Sequence, residues 1–157
     1  MQEFQSASAD YAVLATSTDS REWTDFCSIY NSDATQIPIG NAPFVGNKLE
    51  AVYSNEDIFG CTNLSPNDTV VDKALIVDRG NCTFVQKALV AQSAGAHLLI
   101  VVYNESQVWT VPDLQVDKNE TPVNIPVLLI SNMTGKDIMV GMQVFSILCS
   151  NCLCYCC

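Results

Sequence analysis

The sequence predicts an α/β fold, a mixed β-sheet organised around one strand–helix–strand unit. Three observations carry that reading. Ala74-Leu75-Ile76-Val77, preceded by Val70 and Val71, is a short apolar run closed by Asp78-Arg79-Gly80-Asn81, the pattern of a buried strand that ends in a turn. Leu98-Leu99-Ile100-Val101-Val102-Tyr103 is a second run of the same kind. Between them Phe84, Ala88 and Ala91 recur at helical spacing with Val85 and Leu89 beside them, one apolar stripe on a helix.

The ends of that helix are also written in the sequence. Thr83 and Gln86 fit a capping box, in which each side chain satisfies a free backbone N–H of the first turn. Gly95 suits a left-handed stop at the other end. A strand, a helix and a strand over some thirty residues make the two strands parallel neighbours with a right-handed crossover. Their unbroken apolar character implies burial on both faces.

The remaining elements are less marked. Ile125-Pro126-Val127-Leu128-Leu129-Ile130 reads as a third core strand, with Pro126 at its start, where a missing N–H is tolerated. A short helix is expected over 134–140 and a last strand over 144–148. Tyr11-Ala12-Val13-Leu14-Ala15 fits a first strand. From Asp25 to about Asn67, Pro38, Gly40, Pro43, Gly46 and Gly60 punctuate a loop-rich stretch with short strands and little helix. Residues 104–124 read as an exposed excursion.

The 157 residues suit one domain with a real core. Lys and Arg total 7 against 17 Asp and Glu, for a net charge of -10, and the basic residues form no patch. A phosphate backbone or an anionic membrane surface would be repelled, so no nucleic acid is expected as a partner. No segment is long and apolar enough to span a bilayer. Residues 1–8 lack the apolar stretch of a signal peptide.

Two features place the chain in an oxidising, glycosylating compartment. The sequon Asn-X-Ser/Thr stands at Asn63, Asn67, Asn81, Asn104, Asn119 and Asn132, against about two expected by chance from the composition. Cys27, Cys61 and Cys82 are spread through the globular part, as disulfide cysteines are in secreted domains. A lumenal chain without a leader implies a fragment or an incomplete gene reading. At the other end five cysteines, Cys149, Cys152, Cys154, Cys156 and Cys157, crowd nine residues. Clustered thiolates suit Zn or Cu(I), but no second Cys-x-x-Cys pair or His partner stands at zinc-site spacing. An altered terminus that promotes intermolecular disulfides is the preferred reading, and no metal or other cofactor is expected.

The stretch Arg79-Gly80-Asn81-Cys82-Thr83-Phe84, then Lys87, then Ala91-Gln92 and Gly95-Ala96 before an apolar strand, closely resembles the core of protease-associated (PA) domains. Ile125-Pro126-Val127, followed by Ile130-Ser131, resembles their second landmark. The likeness covers roughly residues 25–148. It implies a PA-domain fold: a mixed sheet forming a partly open barrel, the strand–helix–strand unit and flanking short helices. The chain then divides into an N-terminal extension (1–24), the PA domain (25–148) and the Cys-rich tail (149–157). The resemblance supports Cys61 with Cys82 as a disulfide. Cys27 is left free or paired with a tail cysteine. The motif residues read as structural: Gly80 for a tight turn, Cys82 to clamp it, Phe84 and the alanines for close helix packing.

Asp25-Phe26-Cys27-Ser28-Ile29-Tyr30-Asn31 is similar to the D-Y-C-x-L-Y-N segment of signal peptide peptidase-like 2 proteins, polytopic intramembrane aspartyl proteases with a lumenal PA domain. Phe26 departs from that pattern, and so does the Cys-rich tail. The catalytic Tyr-Asp and Gly-x-Gly-Asp motifs occur nowhere in the chain. His97, the one histidine, reads as a boundary residue of a core strand, with no G-x-S-x-G elbow to serve. The expectation is a non-catalytic module that binds a protein or peptide partner, a fragment of a membrane-tethered protease of the endosome, lysosome or ER. Loops around 31–60 and 104–124 are the expected contact surfaces. The alternatives are the PA domain of a membrane RING ubiquitin ligase or a vacuolar sorting receptor, or a small secreted PA-only protein.

Overall fold

A computed structural model describes residues 10–17, 24–30, 49–64, 70–104, 113–114, 116–117, 120–132 and 143–148. Their regular elements are β1 (Asp10–Ser17), β2 (Thr24–Tyr30), β3 (Leu49–Tyr53), β4 (Ala74–Asp78), α1 (Phe84–Ser93), β5 (Leu98–Val102), β6 (Val127–Ile130) and β7 (Gln143–Leu148). The strands form a ring in the order β1-β2-β6-β5-β4-β3-β7. β3 to β6 run parallel, and β1, β2 and β7 join antiparallel. The predicted mixed sheet and strand–helix–strand unit are present, and the barrel, expected to be partly open, is closed. The ring is hydrogen-bonded throughout but has thin seams: β2 meets β6 at one register pair, Ile29↔Leu129, and β3 meets β7 at two. Residues 10–17, within the stretch read as an N-terminal extension, pair with both β2 and β7. The expected helix at 134–140 and the Cys-rich tail lie outside the described residues. Among the described residues no helix is long and apolar enough to cross a membrane.

Alternation along the parallel strands builds two apolar layers. Leu75, Val77, Leu99, Val101, Val127 and Leu129 join Ala88 and Ala91 of α1 in one buried cluster. Ala74, Ile76, Ile100, Leu128 and Ile130 point the other way along the same strands and are equally closed to solvent. Small alanines on the buried stripe of α1 let its backbone approach the sheet. Pro126 precedes β6, and its carbonyl accepts from Leu99 N–H at 3.1 Å, so its missing N–H breaks no rung.

The caps of α1 follow the sequence at one end and depart from it at the other. At the C-terminus Gly95 adopts φ +85°. Its N–H donates to Gln92 C=O at 3.1 Å, and Ala96 N–H to Ala91 C=O at 3.0 Å, the paired bonds of a Schellman stop. At the N-terminus Thr83 Oγ1 accepts from Gln86 N–H at 3.2 Å, half of a capping box. The other half is missing: Gln86 Nε2 instead donates to Cys61 C=O at 2.8 Å. A backbone acceptor brought near by the loop after β3 takes the side chain away from its own helix.

That loop is docked mainly through Lys87. Although the residue is charged, it is 1% exposed. Its Nζ donates to the carbonyls of Phe59, Asp78 (3.0 Å) and Gly80 (2.8 Å), which joins the loop, the end of β4 and α1 at one atom. The Phe59 ring centroid lies 5.7 Å from the ammonium. Burial pushes the Lys87 pKa below its ordinary value, and the charges of Asp57 and Asp78 oppose that shift. The Asp57 carboxylate collects the loop's donors: Phe59 N–H at 3.0 Å, Cys61 N–H at 2.7 Å, and the Thr62 N–H and hydroxyl at 2.8 and 3.0 Å. Partial burial acts to raise its pKa, but these hydrogen bonds prevail and hold it below the usual carboxylate value. The loop thus turns its N–H groups to an anion and a carbonyl to a cation. Gly60 completes it at φ +60°, where a Cβ would lie 2.7 Å from Val77 Cγ1.

Three outcomes follow for stability, each read from urea unfolding. Lys87→Met keeps an apolar stem but strips the donor from three carbonyls, and should cost on the order of 3 kcal/mol; a loss under about 1 kcal/mol would show that those carbonyls find other donors. Gly60→Ala combines left-handed strain with overpacking and should cost about 2–4 kcal/mol. Asp57 has a folded pKa below its unfolded one, so its contribution is complete above the unfolded value and is lost as pH falls through the folded one. Asp57→Asn should therefore flatten the acid limb of the stability profile as pH falls through and below the ordinary carboxylate range, whereas an unchanged limb would show that the N–H cluster does not favour the charged form.

Candidate functional site

The turn after β4 brings Arg79, Gly80, Cys82 and Phe84 together at the C-terminal end of the parallel strands, while Gln92, Gly95 and Ala96 stand at the far end of α1. Arg79 N–H donates to Val102 C=O at 2.9 Å, tying this turn to β5. Its guanidinium stacks 4.2 Å from the Tyr103 ring centroid and 5.8 Å from that of Phe84, geometry that favours a cation over an aromatic face. Gly80 sits at φ +128°, where a Cβ would stand 3.3 Å from the Phe59 ring. Asn81 follows at φ +64°, and Cys82 N–H donates to Gly80 C=O at 2.8 Å, closing a three-residue turn. Cys82 is joined to Cys61 by a disulfide with a Cα–Cα separation of 5.8 Å. Cys27 lies in β2, paired in register with Val13.

Phe84 is partly buried and packs on the core cluster, and Ala91 and Ala96 are buried within it. Gln92 has a role the sequence did not disclose. Its Oε1 accepts from Asn124 N–H at 2.6 Å and its Nε2 donates to Pro122 C=O at 3.2 Å. This two-way amide clamp holds the segment entering β6 against α1. Every named motif side chain is thus engaged by the fold.

Beside α1 lies an open groove of about 1250 Å³. Phe84, Val85, Leu89 and Val90 of α1 line it together with Arg79 and Asn81 of the turn and Asp113, Glu120 and Thr121 of the 104–124 excursion. These α1 residues are apolar with a few polar groups around them, as the linings of ligand grooves commonly are. Of the stretch 104–124, expected to be an exposed excursion, Asp113, Glu120 and Thr121 border the groove, but Leu114 and Val123 are buried in the core cluster, anchoring it; of the stretch 31–60, residues 31–48 lie outside the described residues and 49–53 form β3.

The described sequon asparagines share one rim. Asn81, Asn104 and Asn132 follow the C-terminal ends of β4, β5 and β6, which are neighbours in the sheet. Asn132 Nδ2 donates to Asn104 C=O at 3.4 Å. Asn63 stands two residues beyond the disulfide and lines the groove with Asn81. Asn63, Asn81 and Asn104 are exposed; Asn67 and Asn119 lie outside the described residues. His97 occupies the opposite rim, where β5 begins, with its Nε2 3.0 Å from Asp72 Oδ1. Among the described residues no three His, Cys, Asp or Glu side chains are grouped to hold a metal ion.

Comparison with known proteins agrees with this architecture. Residues 46–138 match the family model of the PA domain. Signal peptide peptidase-like 4 of Oryza sativa subsp. japonica is 35% identical over 90 residues, covering 52% of this chain and 16% of the relative. Signal peptide peptidase-like 2A of Mus musculus is 30% identical over 135 residues, covering 83% and 24%. The chain therefore spans less than a quarter of either relative. Among solved structures, a zinc aminopeptidase from Bacillus subtilis superposes on 91% of this chain and 32% of its own, with a TM-score of 0.57 at 19% identity, a likeness of fold alone. With more than half its residues matched by that family model and its barrel and crossover helix in place, the chain belongs to the PA domain family.

Proposed function

We propose that this chain is the non-catalytic, lumenal interaction domain of a signal peptide peptidase-like intramembrane aspartyl protease, and that the groove along α1 receives an extended segment of a protein partner. The observation that carries this reading is the division of labour around α1. The fully buried Lys87, Ala88 and Ala91 are spent on the fold, while Val85, Leu89 and Val90 are only partly buried and line the groove, Val85 and Leu89 resting on the core beneath it. A surface left apolar beside a rigid scaffold is suited to binding a chain rather than to bond breaking.

The parent assignment rests on the relatives, whose similarity is confined to this region. The disulfide and the run of sequons support a lumenal setting, with an endosomal, lysosomal or ER membrane as the expected anchor point. Long-read sequencing of the transcript tests the parent. Continuation into a polytopic segment bearing Tyr-Asp and Gly-x-Gly-Asp supports the protease. A zinc-ligand RING pattern, EGF-like repeats or a secreted stop would replace it.

The binding role has its own test. An NMR titration of the isotope-labelled chain with a panel of extended peptides should move the amide resonances of Val85, Leu89 and Val90, leave His97 and Asp72 still, and produce no cleaved peptide. Shifts confined to the His97 rim would remove the groove from the account, and peptide cleavage would remove the non-catalytic reading.

A further inference from the structure

The fold uses all three residues of the Asn81 sequon, and a disulfide cysteine stands at its middle position. Asn81 is held at φ +64° in the three-residue turn, Cys82 is bonded to Cys61, and the Thr83 hydroxyl is the helix cap for Gln86 N–H. The turn is fixed from below as well, since Gly80 C=O accepts from both Cys82 N–H and Lys87 Nζ. Asn81 is nevertheless exposed, so its side chain is not hidden by packing. Only its backbone and its sequon partners are locked.

N-glycosylation needs those groups unlocked. The Asn81 amide Nδ2 must displace the pyrophosphate of a lipid-linked oligosaccharide at the sugar's C1. One N–C bond forms, the C–O bond to the pyrophosphate breaks, and the amide proton leaves to a base of the transferase. The hydroxyl of the residue two positions on has to lie beside that amide while this happens. In the native turn the Thr83 hydroxyl faces the first turn of α1 instead.

We propose that Asn81 is a conditional N-glycosylation site, an acceptor only while Cys61–Cys82 is open, so that disulfide closure and glycan transfer compete for the same turn. The inference rests on the lumenal reading above. Asn104 supplies the contrast: it is exposed, and its sequon, Asn104-Glu105-Ser106, contains no cysteine. Because Asn81 lines the groove, the outcome of the competition also decides whether a sugar stands at the groove's mouth.

The test is site occupancy in the chain secreted from cells behind a leader, measured by glycan release in heavy-oxygen water and peptide mass spectrometry. Cys61→Ser opens the disulfide yet leaves the sequon Asn81-Cys82-Thr83 intact. Asn81 occupancy should rise by about threefold or more over the unaltered chain, with Asn104 unchanged. A pulse of reductant during synthesis of the unaltered chain should do the same, without any substitution that could impair folding. Full occupancy of Asn81 in the unaltered chain, or no response to either treatment while Asn104 is glycosylated, would overturn this inference alone. Absence of glycan from every sequon would overturn it together with the lumenal reading.

Discussion

The ammonium of Lys87 is the point on which this architecture turns. A lysine closed to solvent is costly unless its donors are met, and here three backbone carbonyls from two separate segments meet them. Those carbonyls are themselves polar groups that need partners where packing closes them to water. Each side of the contact therefore removes the cost of the other. Asp57 supplies the complementary half by gathering the N–H groups that the same loop turns outward. The disulfide, the Gln86 bond to Cys61 and the left-handed Gly60 all act on this loop, so one small segment is held by covalent, polar and steric means together.

This arrangement explains why the candidate site is stiff where it is anchored and open where it is not. Helix α1 is fixed at its start by Thr83 and the disulfide turn, in its middle by Lys87, and at its end by the Schellman bonds of Gly95 and Ala96. Gln92 then holds the 122–124 segment against its last turn. The α1 side of the groove is held by these joints, so on the proposed reading little of it would have to be ordered on association.

The sequence disclosed the parts of the fold that rest on local chemistry. Continuous apolar runs at 74–77 and 98–102 name strands buried on both faces because no polar residue interrupts them, and Thr83 and Gly95 name helix ends because each meets a local backbone need. The contacts that build the site are mostly of long range, and their signals were absent or misleading. Hydropathy places a lysine on the surface, and only the three-dimensional approach of residues 59, 78 and 80 shows why Lys87 is inside. Gln86 carried a local signal for a capping box, and an acceptor twenty-five residues away took its side chain instead. Asp57 gave no sign of its role, since its four donors come from a loop whose path the sequence does not fix. Gln92 stood in a motif, but its partners at 122 and 124 lie across the excursion.

The same separation bears on how a PA domain can serve different partners. The residues that make the family legible, Arg79, Gly80, Cys82, Lys87, Gln92 and Gly95, are engaged in turns, stacking and backbone bonds, and changing them would alter the scaffold before it altered a ligand's contacts. Val85, Leu89, Val90, Asp113, Glu120 and Thr121 line the groove and carry none of those joints. Partner choice on this scaffold is therefore free to reside in positions that no motif records. On the function proposed for this chain, binding would rest on the apolar side chains of α1 that line the groove and on Asp113 and Glu120 beside them.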